Sequence, residues 1–150
     1  MIYGMWRLSS DNNRSPEHIY RKINLCLDQG ITTFDQAAVY GGYSSEALFG
    51  KVIQLNSSLR EKIEIVSKCG IVNPSDRYPN ASNSYYDTSR EHIFESVEFS
   101  LNNLSTDYLD LLLIHRQDPF MDHFETGGAL DELIETGKVK EDRKSTRLNS

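Results

Sequence analysis

Two hydrophobic spacings alternate along the chain and predict four strands and four helices. Short apolar runs, typical of buried strands, are each followed by a longer segment with apolar residues every three or four positions, as in amphipathic helices. The run 108–114 is almost continuously apolar, which is typical of a parallel strand covered on both faces. The predicted strands are residues 2–8, 31–34, 62–68 and 108–114.

Residues that favour helix ends mark where the predicted helices begin and stop. Ser15 before Pro16 combines an N-cap with proline at the first helical position, and Gly30 follows as a C-terminal cap. Thr88 and Glu91 have the spacing of a capping box. The apolar stripes are Ile19, Ile23, Cys26 and Leu27; Leu48, Val52 and Leu55; Ile93, Val97, Leu101 and Leu104; the fourth helix is 124–135, before Gly137.

Alternation of strand and helix predicts a parallel sheet with right-handed crossovers, in the α/β class. A doubly wound sheet and a (β/α)8 barrel both fit this order. A dinucleotide-binding doubly wound fold carries G-x-G-x-x-G after its first strand, but the turn here reads WRLSS. The barrel is therefore favoured. A whole barrel needs about 250 residues, so 150 residues supply only about its first four βα units.

Composition narrows the functional classes. The net charge is −6 without a clustered basic face, which argues against nucleic-acid binding. No apolar run reaches the roughly 20 residues that a membrane helix needs, and the N-terminus lacks the features of a signal peptide. Cys26 and Cys69 have no metal-type spacing and are interpreted as reduced thiols. These features predict a cytoplasmic protein.

Ionisable side chains stand at the ends of three predicted strands. Asp35 follows the second strand with Tyr40 in the turn beyond, Lys68 ends the third strand, and His115 follows the fourth. Each residue alone could have a purely structural role: His115 could cap a carbonyl group, and the Lys68 side chain could reach solvent. Barrel enzymes place their chemistry at the carboxyl ends of strands, so four such residues at one rim predict a catalytic site.

The four side chains suit reduction of a carbonyl group. An ammonium beside a phenol stabilises the phenolate, and a carboxylate keeps the ammonium charged and oriented. A histidine can hold the substrate oxygen by a hydrogen bond while Tyr40 delivers a proton to it. The set lacks a nucleophile beside a general base, so hydrolysis through an acyl-enzyme fits poorly.

Three segments resemble one enzyme family. Residues 30–41 read GITTFDQAAVYG, residues 65–70 read IVSKCG and residues 110–115 read DLLLIH, and together they resemble the aldo-keto reductase superfamily. The segments 3–8 (YGMWRL), 40–43 (YGGY) and 115–122 (HRQDPFMD) resemble a bacterial and fungal oxidoreductase subgroup of it. The likeness extends from about residue 2 to residue 140.

The resemblance implies an activity, a cofactor and site residues. The family's catalytic tetrad carries over onto Asp35, Tyr40, Lys68 and His115, with Tyr40 as the proton donor. The implied reaction is reduction of a small-molecule aldehyde or ketone by NADPH, or less often NADH. Gly4, Trp6 and Asp35 are the expected contacts to the cofactor in this chain. The sequence carries no signal for oligomeric state or for one particular substrate.

The C-terminal segment departs from the family pattern. The family continues into a fifth strand there, but residues 141–150 read EDRKSTRLNS, which is polar and has no strand signal. We therefore expect residues 1–140 to be the N-terminal half of a barrel and residues 141–150 to be a foreign tail. The first and fourth strands would then be unpaired edges, and such a fragment would have little reductase activity.

Two other functions compete with the reductase. The superfamily includes subunits that bind nucleotide without catalysis, and substitution of Tyr40 by Phe would separate that class from an enzyme. A metal-dependent barrel hydrolase using Asp35 and His115 is the third interpretation. Such enzymes need further ligands at strand ends, whereas the remaining histidines, His18, His92 and His123, fall on or beside predicted helices. No metal site is expected.

Overall fold

The computed structural model describes residues 1–143, with side chains to residue 141. The strands are β1 Ile2–Gly4, β2 Thr33–Asp35, β3 Glu64–Cys69, β4 Ile71–Val72, β5 Tyr85–Tyr86, β6 Leu109–Ile114 and β7 Val139–Arg143. Five of them form a parallel sheet in the sequential order β1-β2-β3-β6-β7. In a doubly wound sheet the strand order reverses at a switch point. Here each parallel strand lies beside the one before it in the chain, as in a barrel. The other two form an antiparallel hairpin, β4-β5.

Four α-helices supply the crossovers between the parallel strands. Each helix packs against the next one along the chain, which covers the sheet with a continuous helical layer. None of the helices within residues 1–143 is long and apolar enough to cross a membrane. The α-helices are α1 Pro16–Asp28, α2 Ser45–Leu55, α3 Arg90–Leu104 and α4 His123–Glu135, with 3-10 turns at Leu8–Ser10 and Ser57–Lys62.

Helix ends agree with the sequence in one case and differ in another. Ser15 caps α1 as predicted, because its Oγ accepts the amide of His18 at 3.3 Å. The predicted Thr88 cap is wrong: Ser89 caps α3 instead. Thr88 is buried and its carbonyl accepts a hydrogen bond from Thr126 Oγ1 in α4 at 2.9 Å, so it is used in helix packing.

Strand β7 corrects the expectation that the fourth predicted strand is an edge. It pairs with β6 from Leu109 opposite Val139 to Leu113 opposite Arg143. Residues 141–143 therefore form a strand although they are polar, because pairing uses backbone groups and an edge strand tolerates charged side chains. Val139 anchors it, being 1% exposed. Residues 144–150 of the predicted tail lie outside the described part of the chain.

The core lies between the sheet and its helices. Phe34, Ile65 and Leu112, from three neighbouring strands, are almost wholly buried under the helical layer. Helices α2 and α3 approach closely at Gly50, where a Cβ atom would lie 1.8 Å from the carbonyl oxygen of Asn103. Glycine at this position is thus required by packing, since any larger residue would force the helices apart.

A largely buried ion pair closes the amino-terminal end of the sheet. The guanidinium of Arg60 donates to Asp110 Oδ2 at 2.7 Å and to the carbonyls of Tyr108 and Ile63 at 3.0 and 2.9 Å. The same carboxylate oxygen accepts the amide of Ile65 at 2.9 Å. Asp110 therefore joins β3 to β6 at the end of the sheet opposite their carboxyl ends.

Substitution of Asp110 by Ala should destabilise the chain strongly. The Arg60 side chain is only 10% exposed, so its charge would remain without a counter-ion, and breaking a buried pair costs about 3 kcal/mol or more. Urea unfolding followed by circular dichroism measures the change. Glu61→Ala removes an equal charge from an exposed position in the same 3-10 turn and should change the unfolding free energy little. Equal effects of the two substitutions would contradict the assignment.

Candidate active site

The four predicted site residues converge at the carboxyl edge of the sheet. Asp35 is the last residue of β2, Lys68 lies near the end of β3, and His115 directly follows β6. Tyr40 lies in the turn between β2 and α2. The parallel register brings these strand ends to one edge, since Asp35 pairs with Val66, two residues before Lys68. The structure brings all four together, while their catalytic roles stay a prediction.

The ammonium of Lys68 has an acceptor for each of its three protons. It lies 2.6 Å from Asp35 Oδ1, 2.8 Å from the carbonyl oxygen of Gln36 and 3.0 Å from the hydroxyl of Tyr40. The Lys68 side chain is 13% exposed. Charge-assisted bonds of this kind are stronger than neutral ones, so the ammonium holds two segments of the chain in a fixed relation.

The hydroxyl of Tyr40 lies between a cation and an anion. It is 3.0 Å from Lys68 Nζ and 3.4 Å from Asp35 Oδ2. The ring of His115 meets the Tyr40 ring edge-on, with centroids 5.8 Å apart and an interplanar angle of 80°. A substrate oxygen in front of the phenol would therefore also lie close to the imidazole.

His115 is held in its neutral form. Burial, with the positive charges of Lys68 and Arg116 nearby, lowers the pKa of the imidazole to about 4, although Asp35 opposes the shift. Its Nδ1 atom is buried and has no hydrogen-bond partner among the residues that the structure describes. A neutral imidazole carries one N–H group and can donate it to a substrate.

The turn that presents Tyr40 is built on left-handed backbone. Gly41, Gly42 and Tyr43 have φ angles of 61°, 62° and 72°. Gly41 also has no room for a side chain, because a Cβ atom there would lie 2.3 Å from Ser9 Oγ. The pair of glycines lets the chain turn sharply after Tyr40, whereas the tyrosine in the third position is unusual.

The predicted cofactor residues stand beside Asp35 at the same edge. Gly4 ends β1 and pairs with Asp35 in the register. A Cβ atom on Gly4 would meet nothing within 4 Å, so the backbone there faces open space. Trp6 follows two residues later and is 64% exposed. Their contact with a cofactor stays a prediction.

No sequence signal marks one acceptor in the site or one buried acid behind the sheet. The carbonyl of Gln36 accepts from Lys68, but any residue could supply a backbone acceptor, so no sequence signal exists. Glu46, in the first turn of α2, is 1% exposed and accepts the hydroxyl of Ser67 at 2.6 Å. Burial raises the pKa of the Glu46 carboxyl, against the hydrogen bonds from Ser67 and Ser100.

Across residues 1–143 no three His, Cys, Asp or Glu side chains are grouped to hold a metal ion.

The hairpin β4-β5 borders an open cleft on the same side of the sheet. The cleft has a volume of about 620 Å³ and lies between the hairpin and the segment after His115. Its lining is Ile71, Ser84, Tyr85, Tyr86, Asp118, Pro119 and Phe120.

Comparison with known sequences gives a consistent family. The model of the aldo/keto reductase family matches residues 1–141. A 6-dehydroglucose reductase of Agrobacterium fabrum is 54% identical over 140 residues, covering 93% of this chain and 47% of the relative. The oxidoreductase YdhF of Escherichia coli is 49% identical over 139 residues, covering 93% and 46%. The chain spans about half the length of the curated relatives it matches.

Solved structures agree with the sequence relatives. An aldo-keto reductase, AKR11C1, of Bacillus halodurans superposes with a TM-score of 0.76 at 26% identity, over 95% of this chain and 44% of that one. An aldo-keto reductase of Klebsiella pneumoniae in complex with NADPH gives 0.71 at 26%, over 94% and 43%. The predicted (β/α)8 barrel architecture, present here as its first units, is confirmed.

His115 should titrate well below an ordinary histidine. Nuclear magnetic resonance of the imidazole Cε1–H signals over pH 3–8, with His115→Gln to assign the signal, measures the midpoint. We expect about 4, because burial and the Lys68 charge disfavour the imidazolium. The unfolded chain takes up that proton near pH 6.5, so this group's contribution to stability is lost as pH falls from 6.5 towards 4. A midpoint near 6.5 would contradict the burial of the ring.

Glu46 should make the folded chain lose stability as pH rises. Because the folded-state pKa is raised, the contribution is present below the unfolded pKa of about 4.3 and is lost above the folded pKa. Glu46→Gln keeps an acceptor for Ser67 and removes the titration. The unfolding free energy of the natural chain, relative to this variant, should therefore fall between pH 4.5 and 8 in urea titrations. The exposed Glu17→Gln is the control, and parallel pH curves for all three proteins would argue against a buried acid.

Proposed function

We propose the following function for this chain, which belongs to the aldo/keto reductase family: it supplies the proton-donating half of an enzyme that reduces aldehydes or ketones to alcohols. The observation that carries the proposal is the contact of Tyr40 with Lys68 at 3.0 Å and of Lys68 with Asp35 at 2.6 Å. A phenol held this way can give up a proton to an alkoxide-like oxygen and remain stabilised as the phenolate.

The donor set fits a nicotinamide cofactor by its chemistry. Asp35, Tyr40, Lys68 and His115 can hold, orient or move a proton, but none of them can supply hydride. A bound NADPH, or NADH, would supply hydride to the carbonyl carbon. Gly4, Trp6 and Asp35 would contact it, since Gly4 faces open space beside Asp35 and the Trp6 ring is exposed.

The protein groups act in a defined order. A neutral His115 donates an N–H group to the carbonyl oxygen and holds it beside the phenol. As the carbonyl carbon accepts hydride, the Tyr40 O–H bond breaks and the proton passes to the oxygen, which becomes the alcohol hydroxyl. The ammonium of Lys68 stabilises the phenolate that remains, and Asp35 keeps the ammonium in position. A proton from solvent restores Tyr40 for the next cycle.

The proposed substrate is a small carbonyl compound that enters beside the hairpin β4-β5. The cleft next to the hairpin carries Tyr85, Tyr86 and Phe120, which offer apolar contact. The proposed compartment is the cytoplasm, which fits Cys26 and Cys69 as buried free thiols. We further propose that residues 1–150 alone turn over little substrate, because few of the described residues can hold a dinucleotide.

A chimaera tests the catalytic assignment. Residues 1–140 would be fused to the C-terminal half of the Agrobacterium fabrum relative, and NADPH oxidation with a panel of aldehydes and ketones would be followed at 340 nm. We expect Tyr40→Phe to lower kcat about 100-fold or more, because the proton donor is lost. Tyr20→Phe, on α1 and outside the proposed site, is the matched control and should retain most activity.

Three results would count against the proposal. Retention of activity in the Tyr40→Phe chimaera would remove Tyr40 as the donor. A folded chimaera that binds NADPH but reduces no carbonyl compound would favour the non-catalytic nucleotide-binding alternative. Residues 1–150 alone, turning over as fast as the chimaera, would contradict the proposed inactivity of the isolated segment.

A further inference from the structure

Tyr43 occupies a backbone conformation that its side chain makes costly. Its φ of 72° lies in the left-handed region, which L residues with a Cβ atom adopt only when other contacts hold them there. The two preceding positions are glycines, so a third glycine would relieve the backbone. A buried tyrosine stands there instead, 8% exposed. Such a residue indicates that its side chain has a use that outweighs the strain.

The hydroxyl of Tyr43 joins the turn to the segment that continues β3. It accepts the amide of Asn73 at 2.9 Å and donates to the carbonyl of Ile71 at 3.4 Å. Burial raises the pKa of this phenol, so the hydroxyl keeps the proton that it donates. Edge-on contacts with the rings of Tyr78 and Phe99, at 5.5 and 6.2 Å, fix the ring.

The Tyr43 hydrogen bonds to Ile71 and Asn73 lie close in the chain to the contact between Tyr40 and Lys68. Tyr43 follows Tyr40 by three residues, and Ile71 follows Lys68 by three residues. The bond between the Tyr40 and Lys68 side chains and the bond from Tyr43 to Ile71 thus close one ring of chain. On the other side of Tyr40, the amide of Ala38 donates to the carbonyl of Lys68 at 3.1 Å. Tyr40 therefore lies between two anchors, one at the end of β3 and one at the start of β4.

We propose that Tyr43 is a positioning residue that sets the distance between Tyr40 and Lys68 by tying the far end of the turn to Ile71 and Asn73. This role rests on the proposed function for Tyr40 and Lys68, and it assigns Tyr43 no contact with substrate. Without the hydroxyl, the turn loses its two hydrogen bonds to Ile71 and Asn73. On its far side it then keeps only bonds to its own helix, such as Ser44 N–H to the Tyr40 carbonyl, so Tyr40 gains freedom to move away from the ammonium. The same bridge fixes the base of the hairpin β4-β5 beside the cleft.

The Lys68 ammonium reports this geometry directly. With 15N-labelled lysine, an ammonium signal survives only where its protons are hydrogen-bonded and protected from solvent, as the three acceptors of Lys68 predict. We expect a resolved signal in the natural chain, assigned by its loss in Lys68→Met. Tyr43→Phe, which keeps the ring and removes the hydroxyl, should speed its proton exchange at least tenfold.

Two controls separate positioning from general stability. Tyr78→Phe removes a hydroxyl from the neighbouring ring of the same aromatic cluster and should leave the Lys68 signal unchanged. Val139→Ala weakens the core at the start of β7, away from the carboxyl edge, and urea concentration can be adjusted to match the stability of Tyr43→Phe. At matched stability, we expect the Lys68 signal to persist in Val139→Ala.

Each adverse outcome overturns the inference. An unchanged Lys68 signal in Tyr43→Phe would show that the bridge does not position the pair. Equal loss in Val139→Ala would show a purely structural role, and no signal in the natural chain would show that the pair does not persist. None of these outcomes depends on turnover by the chimaera, so failure here is distinguishable from failure of the proposed reductase activity.

Discussion

The candidate site depends on the requirement that a largely buried ammonium have an acceptor for every proton. An unpaired charge in such a place would cost several kcal/mol. Lys68 meets the requirement with Asp35, the Gln36 carbonyl and Tyr40. These acceptors come from the end of β2 and the turn after it, so the register between β2 and β3 and the shape of the turn are both constrained by one side chain.

The parallel sheet makes this convergence possible. In such a sheet every carboxyl end lies on the same edge, and residues far apart in sequence meet there. The opposite edge is specialised for stability, since Asp110 and Arg60 form a largely buried pair that ties β3 to β6. The candidate site and the Asp110–Arg60 anchor thus lie at opposite edges of the sheet, and a change at the amino-terminal edge is expected to affect the site through global stability.

Burial changes the character of several ionisable groups around the site. His115 is neutral at ordinary pH because the fold withdraws it from water beside the Lys68 charge. Glu46 lies behind the sheet on Ser67, the chain neighbour of Lys68, where burial favours its protonated form. The site is therefore an ion pair of Lys68 and Asp35 beside a neutral imidazole.

The sequence alone determined the order of the four helices and of the first four parallel strands, and which side chains reach the carboxyl edge. Hydrophobic periodicity locates strands and helices, and in a parallel sheet the residue after each strand must lie at that edge. Asp35, Tyr40, Lys68 and His115 were thus identifiable from the sequence. Only the tertiary structure decided which backbone groups form hydrogen bonds, and which of two similar side chains caps a helix. The Gln36 carbonyl as an acceptor and the pairing of polar residues 141–143 in β7 are of the first kind. Ser89 rather than Thr88 as the cap of α3 is of the second. Backbone amides and carbonyls are the same for every residue type, so which of them form a bond is determined by three-dimensional proximity and leaves no mark in the sequence.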